Sequence, residues 1–395
     1  MVTAERQARV ACPDCGLVQR LPSVGNRHIA ECRRCARLLA GPATGRVEAP
    51  LALALAALLL LIPATVEPLL QVASHGAARI SWLSSGITGL WHEGFEALAV
   101  IVGAFCLVFP YLYLATLIAV LAVLQLGGRA HLGAVFRWLL RLRPWMMLEV
   151  FLVGCFVAYS RLHLVVGVQV LSGGWCLMGA TAALLLALTQ LDERTVWEAL
   201  PLRRAGSGPD RAVARPIACT TCELLVTAAL PGGSCPRCGA ALHHRKPYAF
   251  RVTAALVAAG FLLYVPANAL PVLTLVSFGH EQSNTIITGV LELIHNRLWP
   301  LAVIVFLASI VVPLLKLCGL TWMLLATFQG SPRLLIARTR FFRLIDTVGS
   351  WSNIDVFVAS VLVALMQFGT IAQARAGGGL TAFAAVVILT MIATR

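Results

Sequence analysis

Eight long apolar segments constrain what this chain can fold into more than any other feature. We predict helices over residues 51–70, 95–126, 147–170, 174–191, 249–272, 297–328, 353–373 and 378–394. A helix needs about 20 mainly apolar residues to cross a bilayer. Only 12% of the chain is charged, whereas a soluble domain carries roughly 25% charged residues. The sequence therefore predicts an all-α polytopic membrane protein.

The second half of the chain repeats the first half. Cysteine motifs ACPDCG and ECRRCA recur as ACTTCE and SCPRCG, IPATVEPLL recurs as VPANALPVL, and WMMLEVFL recurs as WSNIDVFV, all in the same order about 200 residues later. Self-similarity at a fixed spacing indicates a duplicated structural unit. We predict two tandem four-helix transmembrane modules, each preceded by a small cytoplasmic zinc ribbon. The predicted boundaries are 1–48, 49–200, 201–247 and 248–395.

The distribution of arginine predicts the orientation in the membrane. The formal net charge is +14, but the basic residues lie between the apolar segments, notably in the predicted loops 127–145 and 329–343. The opposite loops, 71–94 and 273–296, carry few basic residues. This pattern is typical of the positive-inside rule. We therefore predict cytoplasmic termini and cysteine modules, with the membrane and not nucleic acid as the partner.

Each cysteine module contains two CxxC motifs, a spacing that predicts a tetrahedral metal site. The predicted ligands are Cys12, Cys15, Cys32 and Cys35 in the first module and Cys219, Cys222, Cys235 and Cys238 in the second. The interpretation we favour is two structural Zn²⁺ sites. An iron site or a redox dithiol is the alternative, whereas a reducing cytoplasm disfavours disulfides. Four cysteine ligands leave no open coordination position, so we predict no catalysis at the metal.

A lysine interrupts one of the apolar segments of the second half. Lys316 lies within VVPLLKLCGL, and the next helix carries Asp355 within WSNIDVF. A charged side chain at the centre of a bilayer costs at least about 2.5–3.5 kcal/mol, so we expect the two residues to form an ion pair. In the first half, Tyr113 and Glu149 occupy the corresponding positions.

Hydroxyl side chains at similar depth extend this polar region. Ser309 lies on the helical face of Lys316, Ser352 precedes Asp355 by three residues, and Thr390 belongs to the last helix. Two interpretations remain open for these five residues. They line a functional pocket for substrate headgroups or protons, or they form a structural ion pair that fixes the register of the helices.

The duplicated ribbon-plus-four-helix unit, together with VPANALPV and WSNIDVFV, resembles the paraquat-inducible protein A family over essentially the whole chain. The resemblance implies an inner-membrane component of a Gram-negative lipid transport system. Its partner would be an MCE-domain protein that forms a periplasm-spanning tunnel, and its substrate a phospholipid. On this analogy, Lys316, Asp355, Ser309, Ser352 and Thr390 would form the transport site.

Two non-transporting functions are alternatives. The chain would then be a membrane adaptor that anchors the MCE protein, or a zinc- or redox-responsive sensor. We predict that it is not an enzyme, because the sequence shows neither a nucleophile–base set nor an open metal site.

Overall fold

A computed structural model describes residues 9–20, 29–40, 47–74, 77–128, 132–163, 167–202, 216–226, 233–243, 247–277, 280–330, 335–365 and 372–394. The helices are α1 Glu48–Val66, α2 Ser85–His92, α3 Glu96–Gly103, α4 Phe109–Gln125, α5 Leu132–Leu142, α6 Leu148–Leu162, α7 Ser172–Gln190, α8 Glu193–Ala199, α9 Ala249–Ala269, α10 Ile286–His295, α11 Trp299–Phe306, α12 Val312–Phe328, α13 Leu335–Val348, α14 Ile354–Leu365 and α15 Gly378–Ala393. The strands are β1 Arg9–Ala11, β2 Val18–Arg20, β3 Ala30–Glu31, β4 Leu38–Ala40, β5 Leu70–Ser74, β6 Ala77–Ser81, β7 Gly167–Val170, β8 Ile217–Ala218, β9 Leu225–Val226, β10 Leu273–Ser277, β11 His280–Asn284 and β12 Ala372–Ala376.

The described residues contain seven helical segments that are long and apolar enough to cross a membrane. They are Glu48–Val66, Glu96–Gln125, Leu132–Ser160, Ser172–Gln190, Ala249–Ala269, Trp299–Phe328 and Leu335–Leu365. The last helix, α15, is equally apolar but has 16 residues. It packs along α9 as α7 packs along α1. The chain is thus a multi-pass membrane protein, as the apolar segments predicted.

Several helices end earlier than predicted because the chain changes to strands. The prediction continued the third helix of each half to residues 170 and 373, but α6 ends at Leu162 and α14 ends at Leu365. Strands β7 and β12 follow. Residues 164–166 and 366–371 of these two predicted helices lie outside the described residues. Backbone groups in these strands are satisfied by pairing between strands, which hydropathy alone does not reveal.

Each half carries a three-stranded antiparallel sheet with the same topology. The strand orders are β6-β5-β7 and β11-β10-β12. Helices α2 and α10 follow the β5-β6 and β10-β11 hairpins in the two halves. The backbone N–H of Ala376, on β12, donates to Glu93 Oε2 at 2.7 Å, so the first half covers an edge of the second sheet. Burial raises the pKa of Glu93.

The Arg-rich segments predicted as loops are largely helical. In α5 the buried side chains Leu132, Phe136, Leu139 and Leu142 recur every three or four residues. This periodicity is that of an amphipathic helix. Its counterpart in the second half is α13. Arginine density concealed the periodicity in both segments.

The two halves meet along α6 and α14. The rings of Phe151 and Phe357 contact edge to face, with centroids 5.6 Å apart. A Cβ atom on Gly154 would lie 2.9 Å from Phe357 Cβ, so the helices approach closely here. Phe151 and Phe357 are equivalent residues of the repeat. Contact between equivalent residues indicates that the halves are related by a pseudo-twofold axis.

Candidate functional site

The eight module cysteines form two compact clusters. Within the first cluster, Cys12 and Cys35 Sγ lie 3.5 Å apart, as do Cys15 and Cys32 Sγ. The second cluster repeats these distances in Cys219–Cys238 and Cys222–Cys235. All four ligand atoms of each cluster lie within 4.8 Å of one another. Tetrahedral Zn–S bonds of about 2.3 Å require sulfur atoms roughly 3.8 Å apart, so both clusters fit a metal ion of that geometry.

Disulfides do not explain these clusters. A disulfide bond is about 2.05 Å long, and the closest sulfur atoms are 3.5 Å apart. The four CxxC motifs instead adopt the same backbone turn, which directs the two thiols of each motif toward the centre of its cluster. In each turn the amide of the first cysteine donates to the carbonyl five residues ahead, as in Cys12 N to Leu17 O at 2.9 Å, and a residue of positive φ follows each pair. These residues are Gly16, Ala36, Glu223 and Gly239.

The two modules attach to the membrane body differently. The second cluster belongs to the large apolar core that includes Val196 and Trp197. The first cluster has its own small core, completed by Leu17 and Leu39. A hydrogen bond from the Cys222 thiol lowers the pKa of Cys219, and one from Cys219 lowers the pKa of Cys235, so the close approach of the thiols favours thiolates within the second cluster. Burial raises the pKa of neighbouring Glu223, which faces Arg37.

Lys316 is buried in the second half, with 1% of its surface exposed. Its Nζ donates to Gly349 O at 2.7 Å and to Ser352 Oγ at 3.4 Å. Both acceptors belong to the 3₁₀ turn Gly349–Asn353, between α13 and α14. An ammonium has three N–H donors, and the hydrogen bonds to described residues occupy two of them.

The expected ion pair between Lys316 and Asp355 does not form. Among the described residues, no ion pair includes the lysine. The reason is the 3₁₀ turn, which brings a backbone carbonyl to the ammonium, whereas half-buried Asp355 lies beyond it in the first turn of α14. Gly349 was not predicted from the sequence, because a main-chain acceptor has no residue signature. Position 349 requires glycine, since a Cβ there would lie 2.8 Å from Lys316 Cε.

Ser309 lies in a π-helical segment, Leu307–Val311, that joins α11 to α12. Pro313 follows by four residues; its ring excludes the regular helical hydrogen bond to the carbonyl of Ser309. The serine is fully buried, and its Oγ has no hydrogen-bond partner among the described residues. Insertions of this kind occur frequently at functional sites.

The 3₁₀ turn gathers the remaining polar residues. It packs against the π-helical segment, α12 and α15. Thr390 of α15 is 1% exposed, and its Oγ1 donates to Val387 O at 2.9 Å. Asn353, which the sequence interpretation missed, is 3% exposed and lies 2.8 Å from Met147 Sδ. We refer to Ser309, Lys316, Gly349, Ser352 and Thr390 as the polar cluster.

The first half has a matching frame without the polar cluster. Its π-helical segment Ala104–Val108 precedes Pro110, as Leu307–Val311 precedes Pro313. The residues that align with Ser309, Lys316, Ser352, Asn353 and Thr390 are Cys106, Tyr113, Met146, Met147 and Leu184. The fold is therefore duplicated, and the buried polar groups are concentrated in one copy.

Comparison with known proteins agrees with this architecture. The family described as Paraquat-inducible protein A matches residues 47–201 and 250–395. The chain belongs to the paraquat-inducible protein A family. No solved structure matches it significantly.

Relatives within the family align along nearly the whole chain. Intermembrane transport protein PqiA of Escherichia coli (strain K12) is 30% identical over 397 residues, covering 97% of this chain and 92% of that protein. Lipophilic envelope-spanning tunnel protein A of the same strain is 29% identical over 386 residues, covering 97% and 88%. A probable intermembrane transport protein of Haemophilus influenzae is 25% identical over 394 residues, covering 97% and 92%.

Proposed function

We propose that this chain passes phospholipids between the inner membrane of a Gram-negative bacterium and a periplasm-spanning tunnel formed by an MCE-domain partner. The names of the curated relatives describe intermembrane transport and an envelope-spanning tunnel, which supports a transport role. The polar cluster, with Asp355 at its edge, is the site that receives the lipid headgroup. The protein acts as a transporter and not as an enzyme.

The observation that carries the proposal is the unused hydrogen-bonding capacity of the polar cluster. Lys316 and Ser309 are both almost fully buried, and each has a donor without an acceptor among the described residues. Buried polar groups are normally satisfied by protein, water or ligand. A phosphate supplies an anionic acceptor for the ammonium and for the hydroxyl. Such a ligand explains why polar groups are placed within apolar helices.

The remaining organisation follows the duplication. Residues 1–48 and 201–247 form two cytoplasmic ribbons, each with a structural Zn²⁺, and residues 49–200 and 248–395 form two four-helix membrane modules. The cysteine geometry supports the metal sites, because both clusters fit tetrahedral coordination. The pairing of α15 with α9 and of α7 with α1 supports an eighth, shorter span.

We expect Gly349→Ala to impair lipid binding. The new Cβ would lie 2.8 Å from Lys316 Cε and 3.0 Å from Nζ, displacing the ammonium from the turn. Phospholipid recovered with the purified protein should fall about tenfold, the factor expected when one charge-assisted hydrogen bond is lost. Quantitative lipid mass spectrometry measures this directly.

Gly378→Ala is the matched control for that experiment. It lies in the same half, and its new Cβ would meet only Leu270 Cδ1 at 3.8 Å, an ordinary contact. Recovered lipid should therefore remain at the level of the unmodified protein. Equal lipid recovery from Gly349→Ala and Gly378→Ala would contradict a binding site at the polar cluster.

The proposed topology places the sheet β11-β10-β12 in the periplasm. A cysteine at exposed Ser283, on β11, should react with an impermeant maleimide added outside intact inner-membrane vesicles of native orientation. A cysteine at exposed Val18, in the first ribbon, should react only after permeabilisation. Each signal is compared with that of the parent protein. The reverse pattern would invert the orientation of the entire chain.

A further inference from the structure

An arginine of the second membrane module reaches the first cysteine cluster. Arg343, on α13, donates from Nε and Nη2 to Asp14 Oδ2, at 2.9 and 2.5 Å. Its Nη2 also lies 3.7 Å from the Sγ of Cys35. Asp14 sits between Cys12 and Cys15 and accepts a further bond from Arg37 at 3.1 Å. The side chain of Asp14 is 18% exposed, so this pair is better shielded from water than a surface ion pair.

The same helix leads to the polar cluster. Gly349, whose carbonyl binds Lys316, follows Arg343 by six residues, about 9 Å of helix. Between these two residues, Ile345 packs closely against α12, because a Cβ on Gly319 would lie 2.5 Å from Ile345 Cδ1. Phe341, which precedes Arg343, packs at the same place, with its Cε1 2.7 Å from that Cβ. Close packing of this kind transmits displacement, since packed helices have little room to deform independently. The helix α13 therefore connects the two sites.

The equivalent helix of the first half, α5, also contacts a ribbon but does not lead to a polar turn. Arg137, on α5, corresponds to Arg343, and its Nη1 would lie 3.6 Å from a Cβ on Gly239 of the second ribbon. A Cβ on Gly133 would lie 2.5 Å from Arg237 O, so this ribbon also rests tightly on its helix. Each ribbon thus contacts the amphipathic helix of the other half. Beyond α5, however, the chain continues into Met146 and Met147 instead of a polar turn.

We propose that the first cysteine cluster, when it holds its metal, fixes the position of α13 through Arg343 and so keeps Gly349 and Ser352 on Lys316. Four thiolates around a divalent ion carry net negative charge, which attracts a guanidinium at the cluster edge. Loss of the metal removes the bonds that join the two CxxC turns and so loosens the turn that carries Asp14. The ribbon thereby reports cytoplasmic metal or thiol status to the polar cluster. The role of that cluster in lipid transport rests on the proposed function; the mechanical link does not.

Hydrogen–deuterium exchange of the full-length protein tests the link. In the zinc-loaded protein, amides of residues 349–353 should exchange slowly, and a zinc chelator should accelerate them about tenfold, the factor expected from losing one charge-assisted hydrogen bond. Arg343→Gln should exchange fast even with zinc bound and change little on chelation. It should also weaken zinc binding at the first site by about tenfold, as loss of outer-shell partners does. The matched variant Arg137→Gln should behave like the unmodified protein at 349–353.

The outcomes separate this proposal from the transport proposal. Slow exchange at 349–353 in zinc-loaded Arg343→Gln would overturn the link, as would equal acceleration by Arg137→Gln. If chelation also accelerates exchange within α7, the protein has unfolded globally. The comparison of zinc-loaded Arg343→Gln with zinc-loaded Arg137→Gln then tests the link without chelation. A confirmed link, combined with lipid binding that is indifferent to Lys316, would leave the link standing and refute the transport site. Conversely, lipid binding that depends on Lys316, combined with exchange at 349–353 that does not depend on Arg343, would refute only the link.

Discussion

Lys316→Met is expected to abolish lipid transport while the protein accumulates normally. Methionine approximates the length of the lysine stem but removes the ammonium. Among the described residues Lys316 makes no ion pair, so its replacement leaves no buried counter-charge without a partner, and Gly349 O still accepts from Ser352 Oγ at 2.9 Å. The variant should therefore insert and fold. The proposed headgroup site, however, loses its only buried cation among the described residues of the polar cluster. Transport-dependent growth under envelope stress, in cells deleted for the native copy, should fall to the level of the empty vector.

The duplicated fold offers a control for this variant. Tyr113 aligns with Lys316, is fully buried, and has a hydroxyl without a hydrogen-bond partner among the described residues. Tyr113→Phe should therefore retain transport, because the first half has no polar cluster. Normal growth with Lys316→Met, at normal protein level, would show that the lysine only fixes helix register.

Cys235→Ser is expected to reduce protein accumulation to less than about a tenth, because structural zinc contributes roughly 10–16 kcal/mol to the folding of small metal-binding modules. The effect should spread beyond the ribbon. Cys235 is 2% exposed and belongs to the large core shared with the membrane body. Immunoblotting of membranes measures accumulation, and elemental analysis of the residual purified protein should give one zinc per chain instead of two.

Cys176→Ser provides the control for loss of a thiol. Cys176 is half-buried in α7 and belongs to neither cluster. Its replacement should leave both accumulation and zinc content unchanged. Two zinc ions in Cys235→Ser, or normal accumulation of a protein that lacks one, would contradict a structural role for the second metal.

The sequence reveals the membrane architecture because its causes are local. Apolar length predicts the helices, and CxxC spacing predicts the cysteine clusters, whose sulfur atoms do converge. Helix ends were less accurate at β7 and β12, because pairing with β5 and β10 depends on residues distant in the chain. Amphipathic α5 and α13 were also missed as helices, since their arginines obscured the apolar period.

The candidate site was only partly visible in the sequence. A lysine in an apolar helix and three hydroxyl residues are recognisable by type, and the structure buries Lys316, Ser309, Ser352 and Thr390. The partner of the lysine was assigned by charge, whereas the structure provides the carbonyl of Gly349. A backbone acceptor depends on the 3₁₀ turn, and contacts such as Arg343 with Asp14 span more than 300 residues. Neither has a local sequence signature.

Photo-crosslinking of lipid tests most directly whether the second half alone contains the headgroup site. Ile310 adjoins Ser309 in the π-helical segment, and Leu107 is its half-buried equivalent in the first half. A photoreactive phenylalanine analogue at Ile310 should crosslink phospholipid far more than the same analogue at Leu107, and Lys316→Met should remove the difference. Equal crosslinking at both positions, or a difference that persists in Lys316→Met, would contradict the account.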